Sequence, residues 1–161
     1  MDDDGQALPD WLPTLEKGRH MPDRPQFCAM EAAAWLAGEK SSDHPRSVHA
    51  VIAQAARVAN DFLPEDERQG LWPLVLASIG TGARWRPILW YQLVHYGLIM
   101  QLKYPGDPRK VWEELLKRHA FLTGRKLVIP RRVSATRLHA KDAIDSKRDV
   151  VGATTASTNS G

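Results

Sequence analysis

The chain contains one cysteine, Cys28. No intramolecular disulfide can therefore form, and such sparing use of cysteine fits a reducing compartment. No apolar run reaches the roughly 20 residues that a membrane-spanning helix requires. The longest, Ile88 to Leu102, is interrupted by Gln92, His95 and Gln101. The opening Met1-Asp2-Asp3-Asp4-Gly5 is acidic where a signal peptide is basic, and no apolar stretch follows it. These features lead us to expect a cytoplasmic protein. There is no glycine-rich phosphate loop, no internal repeat, no sustained heptad run and no standard paired-ligand zinc spacing. Disulfide scaffolds, membrane spans, nucleotide-binding folds and long coiled coils are excluded as leading expectations.

The 161 residues are 43% hydrophobic, an ordinary globular proportion, and most of that apolar content lies between Phe27 and Leu122. The spacing predicts an all-α fold: a single compact bundle of about five helices, with an extended N-terminal arm and a flexible C-terminal tail. The expected divisions are an arm over 1–26, a helical domain over 27–124, and a basic, then small and polar, tail over 125–161. The arm contains Pro9, Pro13, Pro22 and Pro25, while Trp11, Leu12 and Leu15 are suited to docking on the core. A first helix is expected over 27–37, rich in alanine and stopped at Gly38. A second is expected over 45–62, capped by Ser42 or Asp43, with Pro45 in its first turn and a stripe through Val48, Ile52, Ala55, Ala59 and Phe62. Short helices follow near 65–70 and 73–79, separated at Pro73 and ended by Gly80. Pro87 opens a helix to Leu102 that is apolar on nearly every side. Such a helix is either buried or half buried with its other half an oligomer interface. Asp107 caps a last helix, begun at Pro108 and stopped at Gly124. Residues 125–130 read as a short strand or an apolar strap.

The densest polar cluster comprises Cys28, Glu31, Glu39, Asp43, His44 and His49. Cys28 and Glu31, three apart on one helix, share a face. With His44 and His49 across a helical hairpin they would make a zinc-compatible set. The plainer reading is a buried thiol, a capping aspartate and solvated histidines, so zinc stands as a minority reading and no cofactor is expected. A cysteine hydrolase would need a base beside Cys28, and His44, His49 and His119 are candidates only by being present. His95, alone in the most apolar helix, reads as a hydrogen-bonded core residue. Of six tryptophans, Trp35, Trp90 and Trp112 fall where core is expected. Trp85, between Arg84 and Arg86, is the candidate for stacking on a base or a partner.

Net charge is only +3, but it is unevenly distributed. Residues 1–24 hold six acids against three bases, and residues 125–149 hold eight bases against three acids. The basic tail, Arg131 and Arg132 in particular, together with Arg84, Trp85 and Arg86, would suit phosphates. The plainer reading of the tail is a solvated extension.

The blocks Cys28-Ala29-Met30-Glu31-Ala32, Ala37-Gly38-Glu39, Ser42-Asp43-His44-Pro45, Asn60-Asp61 and Ile79-Gly80-Thr81, in that order, resemble a family of small uncharacterised proteins from actinobacteria and their phages. That family reads C-x-M-E-A, A-G-E, S-D-H-P and I-G-T, and the resemblance covers residues 27–82. It directs attention to Cys28–His44 and supplies no mechanism. Some relatives carry a second cysteine after S-D-H-P, where this chain has Ser47 or His49.

The leading expectation is a non-enzymatic helical interaction module, an accessory or regulatory protein that binds another macromolecule. Another protein is the expected partner, and self-association through 87–102 is a further option. Nucleic-acid binding through Arg84-Trp85-Arg86 and the tail is the first alternative. A metal- or thiol-dependent enzyme around Cys28 and His44 is the second.

Overall fold

A run of alanines favours helix but needs a start. Here the start is Cys28, whose extended backbone and side chain cap α1 (Ala29–Leu36). The computed structural model describes residues 12–18, 26–82 and 86–130. Six α-helices lie within them, five of which span seven residues or more: α1, α2 (Ala50–Phe62), α4 (Trp72–Ser78), α5 (Pro87–Lys103) and α6 (Pro108–Thr123). The sixth, α3 (Glu65–Arg68), is one turn long and continues through a 3₁₀ turn at Gln69–Leu71 into α4. The fold is thus the expected mostly helical bundle. α6 packs across α2 and α5, while α1 packs on α2 and α4.

The helix stops follow the sequence signals. Gly38 and Gly124 take left-handed backbone at φ 70° and 69°, where a Cβ would be strained. The Asp107 carboxylate accepts the Lys110 N–H at 2.9 Å, and Pro108 occupies the first turn, where a missing N–H costs nothing. The start of α2 differs from expectation. The helix begins at Ala50, with His49 rather than Ser42 or Asp43 as its cap. Tertiary bonds hold residues 43–48 as a loop: Glu39 accepts the N–H groups of Arg46 and Ser47, and the Ser47 carbonyl accepts those of Gly80 and Gly82. Gly82 is required at this crossing, because a Cβ there would collide with the Arg46 carbonyl.

Part of the arm is docked. Thr14–Leu15 (β1) pairs in parallel with Gln26–Phe27 (β2). Leu15 is fully buried, and its N–H and C=O are both satisfied by the Gln69 amide, at 3.1 and 2.8 Å. Residues 125–130 form no strand. Leu127 and Ile129 lie against the core as a strap. The Arg125 guanidinium donates to the Ile79 carbonyl at 2.7 Å. Residues 1–11, 19–25, 83–85 and 131–161 lie outside the described set. With them lie Trp11, the candidate residues Arg84, Trp85, Arg131 and Arg132, and the tail as a whole.

The core is built on Met30, Ile52, Leu71, Trp72, Val75, Leu93, Trp112, Leu115 and Leu116. α5 contributes only Leu89, Leu93, Gly97 and Met100 to it. Trp90 and His95, expected inside, are exposed. A helix apolar all round gives no indication of which face will be covered, and the structure covers one.

Candidate interaction surface

The candidate metal residues separate into three local arrangements. Cys28 and Glu31 form a reciprocal capping box: the Glu31 N–H donates to Cys28 Sγ at 3.4 Å, and the Cys28 N–H donates to Glu31 Oε2 at 2.9 Å. Both residues are buried. Burial pushes the Cys28 thiol up to about 12, with the adjacent Glu31 charge adding to the effect. This is the opposite of an activated thiolate. His44 is exposed and bonded to Asp43 at 2.8 Å. His49 caps α2, its Nδ1 accepting the Val51 N–H at 3.3 Å, and its ring lies 5.8 Å from that of His119. Among the described residues, no three His, Cys, Asp or Glu side chains are grouped to hold one ion.

The loops and helix ends are tied together by a polar framework in two groups, one around Asn60 and Arg68 and one around Thr81, Ser78 and Glu39. Asn60, fully buried, accepts the Ala29 N–H at 3.1 Å and donates to the Glu16 carbonyl at 2.8 Å, tying α2 to α1 and the arm. Arg68, also buried, donates to the carbonyls of Asn60 and Leu63. The Thr81 hydroxyl accepts the His49 N–H and donates to the Ser78 carbonyl. Ser78 in turn accepts the Trp112 indole N–H at 3.0 Å. Burial of Glu39 works against its charge, but bonds from Ser47 and Arg46 prevail and hold its carboxyl below the usual value. These residues satisfy backbone groups that burial would otherwise leave unpaired.

Two of the surface grooves formed by the described residues lie beside α5 and its neighbours. One, of about 310 Å³ between α2, α5 and α6, is lined by Ala55, Val58, Phe62, Gln101, Tyr104 and Val111 among others. The other, of about 380 Å³, lies beside Arg86, Ile88, Gln92 and Leu122. Neither gathers several titratable groups as an active site does.

The unusual feature is the outward side of α5. Ile88, Tyr91, Leu98, Ile99 and Leu102 are exposed by 77, 69, 57, 43 and 84%. From Pro87 to Leu102 the helix carries no Lys, Arg, Asp or Glu. Phe121 on α6, and Phe62 and Val58 on α2, are further exposed apolar side chains. By contrast, the polar residues of α6 largely satisfy one another. Lys110 and Lys117 each pair with both Glu113 and Glu114, and Arg118 lies over the rings of Tyr96 and Phe121. Of the basic stacking candidates only Arg86 is described, exposed at the start of α5.

No protein-family model, curated protein or solved structure matches the chain.

Sequence reasoning located α5 but not its exposed side. It also took Cys28 and Glu31 as potential ligands, although their three-residue spacing is that of a capping box with cysteine in the place of serine or threonine.

Proposed function

We propose that this protein is a non-enzymatic helical interaction module, a cytoplasmic accessory protein that engages another protein through the outward side of α5. The resemblance to small actinobacterial and phage proteins belongs to the same reading. The observation that carries it is the stripe of large exposed apolar residues on a helix without Lys, Arg, Asp or Glu from Pro87 to Leu102. Contiguous apolar patches on monomeric proteins rarely exceed a few hundred Å², and larger ones mark contact surfaces. Two further features support it. Within the polar cluster at 28–49, the side chains of Cys28, Glu31, Glu39 and His49 are occupied in holding backbone N–H groups. Six of the thirteen basic side chains among the described residues, Arg57, Arg68, Lys110, Lys117, Arg118 and Arg125, are engaged within the fold.

The test compares capture from nuclease-treated host extract by the full chain and by its Leu98→Glu/Leu102→Glu variant. The expected outcome is a nuclease-resistant protein partner retained by the first and lost with the second, with saturable binding once that partner is purified. Capture that disappears on nuclease treatment would transfer the reading to nucleic acid.

A further inference from the structure

The exposed side of α5 has an internal order. Ile88, Tyr91, His95, Leu98 and Leu102 follow one another in steps of three, four, three and four residues, the spacing that keeps side chains on one seam between two packed helices. All five are exposed. The residues that α5 buries, Leu89, Leu93, Gly97 and Met100, lie on the opposite side, so the seam points away from α2 and α6. The exposed face, with Ile99 beside the seam, is also nearly palindromic about His95. Ile88 and Leu102 stand seven residues to either side of it, and Tyr91 and Ile99 four to either side.

We infer that the partner of this face is a second copy of the chain, with the two α5 helices packed antiparallel across a two-fold axis at His95. The inference rests on the interaction-module reading and names its partner. A two-fold interface must be complementary to itself. A face without charge meets its own copy without repulsion, whereas a charged face would need an opposite one. About the axis, Ile88 meets the partner's Leu102, Tyr91 meets the partner's Ile99, and the two His95 rings face each other. The seventeen-residue helix is about 25 Å long, enough for two heptads of contact. At these exposures, the apolar side chains of the face present on the order of 700 Å² of surface, close to the roughly 800 Å² each partner contributes to a standard interface. His95 is the polar member at the centre, where a single polar seam residue sets register at some expense of affinity.

Sedimentation velocity of the full chain over a concentration series is the test, with Leu98→Glu and His95→Leu alongside. A reversible dimer is expected, weakened at least tenfold by Leu98→Glu and tightened by His95→Leu. Both substitutions fall on exposed positions, so the circular dichroism spectrum should be unchanged. Register is read by disulfide trapping under mild oxidation, Cys28 being buried and out of reach. His95→Cys should cross-link alone, and Ile88→Cys should cross-link only when mixed with Leu102→Cys. A dimer indifferent to Leu98→Glu, or Ile88→Cys cross-linking to itself, overturns this pairing. A chain that stays monomeric overturns self-association. If it still captures a protein through the same face, the interaction-module reading stands without it. If it captures none, both fail.

Discussion

Asn60 shows how much can depend on one buried side chain. It is the bond acceptor for the first N–H of α1 and a donor to the arm at Glu16, and an apolar replacement does neither. Leaving a buried polar group without its partner costs about 1–3 kcal/mol. Asn60→Ala is therefore expected to lower the unfolding free energy by that much in a urea titration, and an unchanged midpoint would remove Asn60 from its place in the framework. Cys28 permits a finer test, since only its role as acceptor at the cap matters. Cys28→Ser keeps an acceptor and should be nearly neutral. Cys28→Ala loses it and should cost about 1 kcal/mol. If the two variants are equally stable, the thiol does not cap α1. The serine variant also separates cap from chemistry, because a serine cannot replace a zinc-bound thiolate.

Among the elements, α5 presents two sides that the sequence does not distinguish. Leu93 is fully buried and Leu102 is 84% exposed. Leu93→Ala is expected to cost about 2–5 kcal/mol, whereas Leu102→Ala should stay within about 0.5 kcal/mol when measured at concentrations where the chain is monomeric. Gly97 offers a gain. A Cβ there would meet the Leu115 methyls at 3.5 and 3.7 Å, ordinary contact distances, and alanine is favoured over glycine within a helix by about 1 kcal/mol. Gly97→Ala should therefore raise the melting temperature, and a fall would mean that α5 and α6 are packed more tightly than these distances imply. The contrast shows what was legible. Gly38, Asp107, Pro108 and Gly124 act locally, and the sequence showed them directly. The late start of α2 was hidden because bonds beyond helical range hold residues 43–48 out of the helix, from Glu39 nearby and from Gly80 and Gly82 far along the chain. The two-residue strands were too short to give any periodic signal. The outward face of α5 was hidden because a helix apolar on every side has no phase, and only the placement of α2 and α6 reveals which leucines stay outside.

For the whole molecule, acid stability should be decided where three segments meet. His49 at the start of α2 and His119 on α6 lie ring to ring, and Thr81 of the 79–82 turn accepts the His49 N–H. Burial lowers His119 to about 4, with the nearby charges of His49 and Arg125 acting in the same direction. Burial also lowers His49 from its ordinary value. In the unfolded chain a histidine takes up its proton near pH 6.5, so between about pH 6.5 and 4 the unfolded state binds more protons than the folded one. Stability therefore falls as the pH drops through that window, by up to about 3 kcal/mol for His119, and levels off once the folded form is protonated as well. Glu39, lowered by its bonds to Ser47 and Arg46, adds a loss only at still lower pH, where carboxylates protonate. Urea midpoints at pH 7, 5.5 and 4.5 should fall in that order for the natural chain. His119→Gln, whatever its stability at pH 7, should show a distinctly shallower decline. Equal slopes in the two proteins would mean that the buried imidazole does not govern acid unfolding, and the junction of α2, α6 and the turn would then be held by its neutral hydrogen bonds alone.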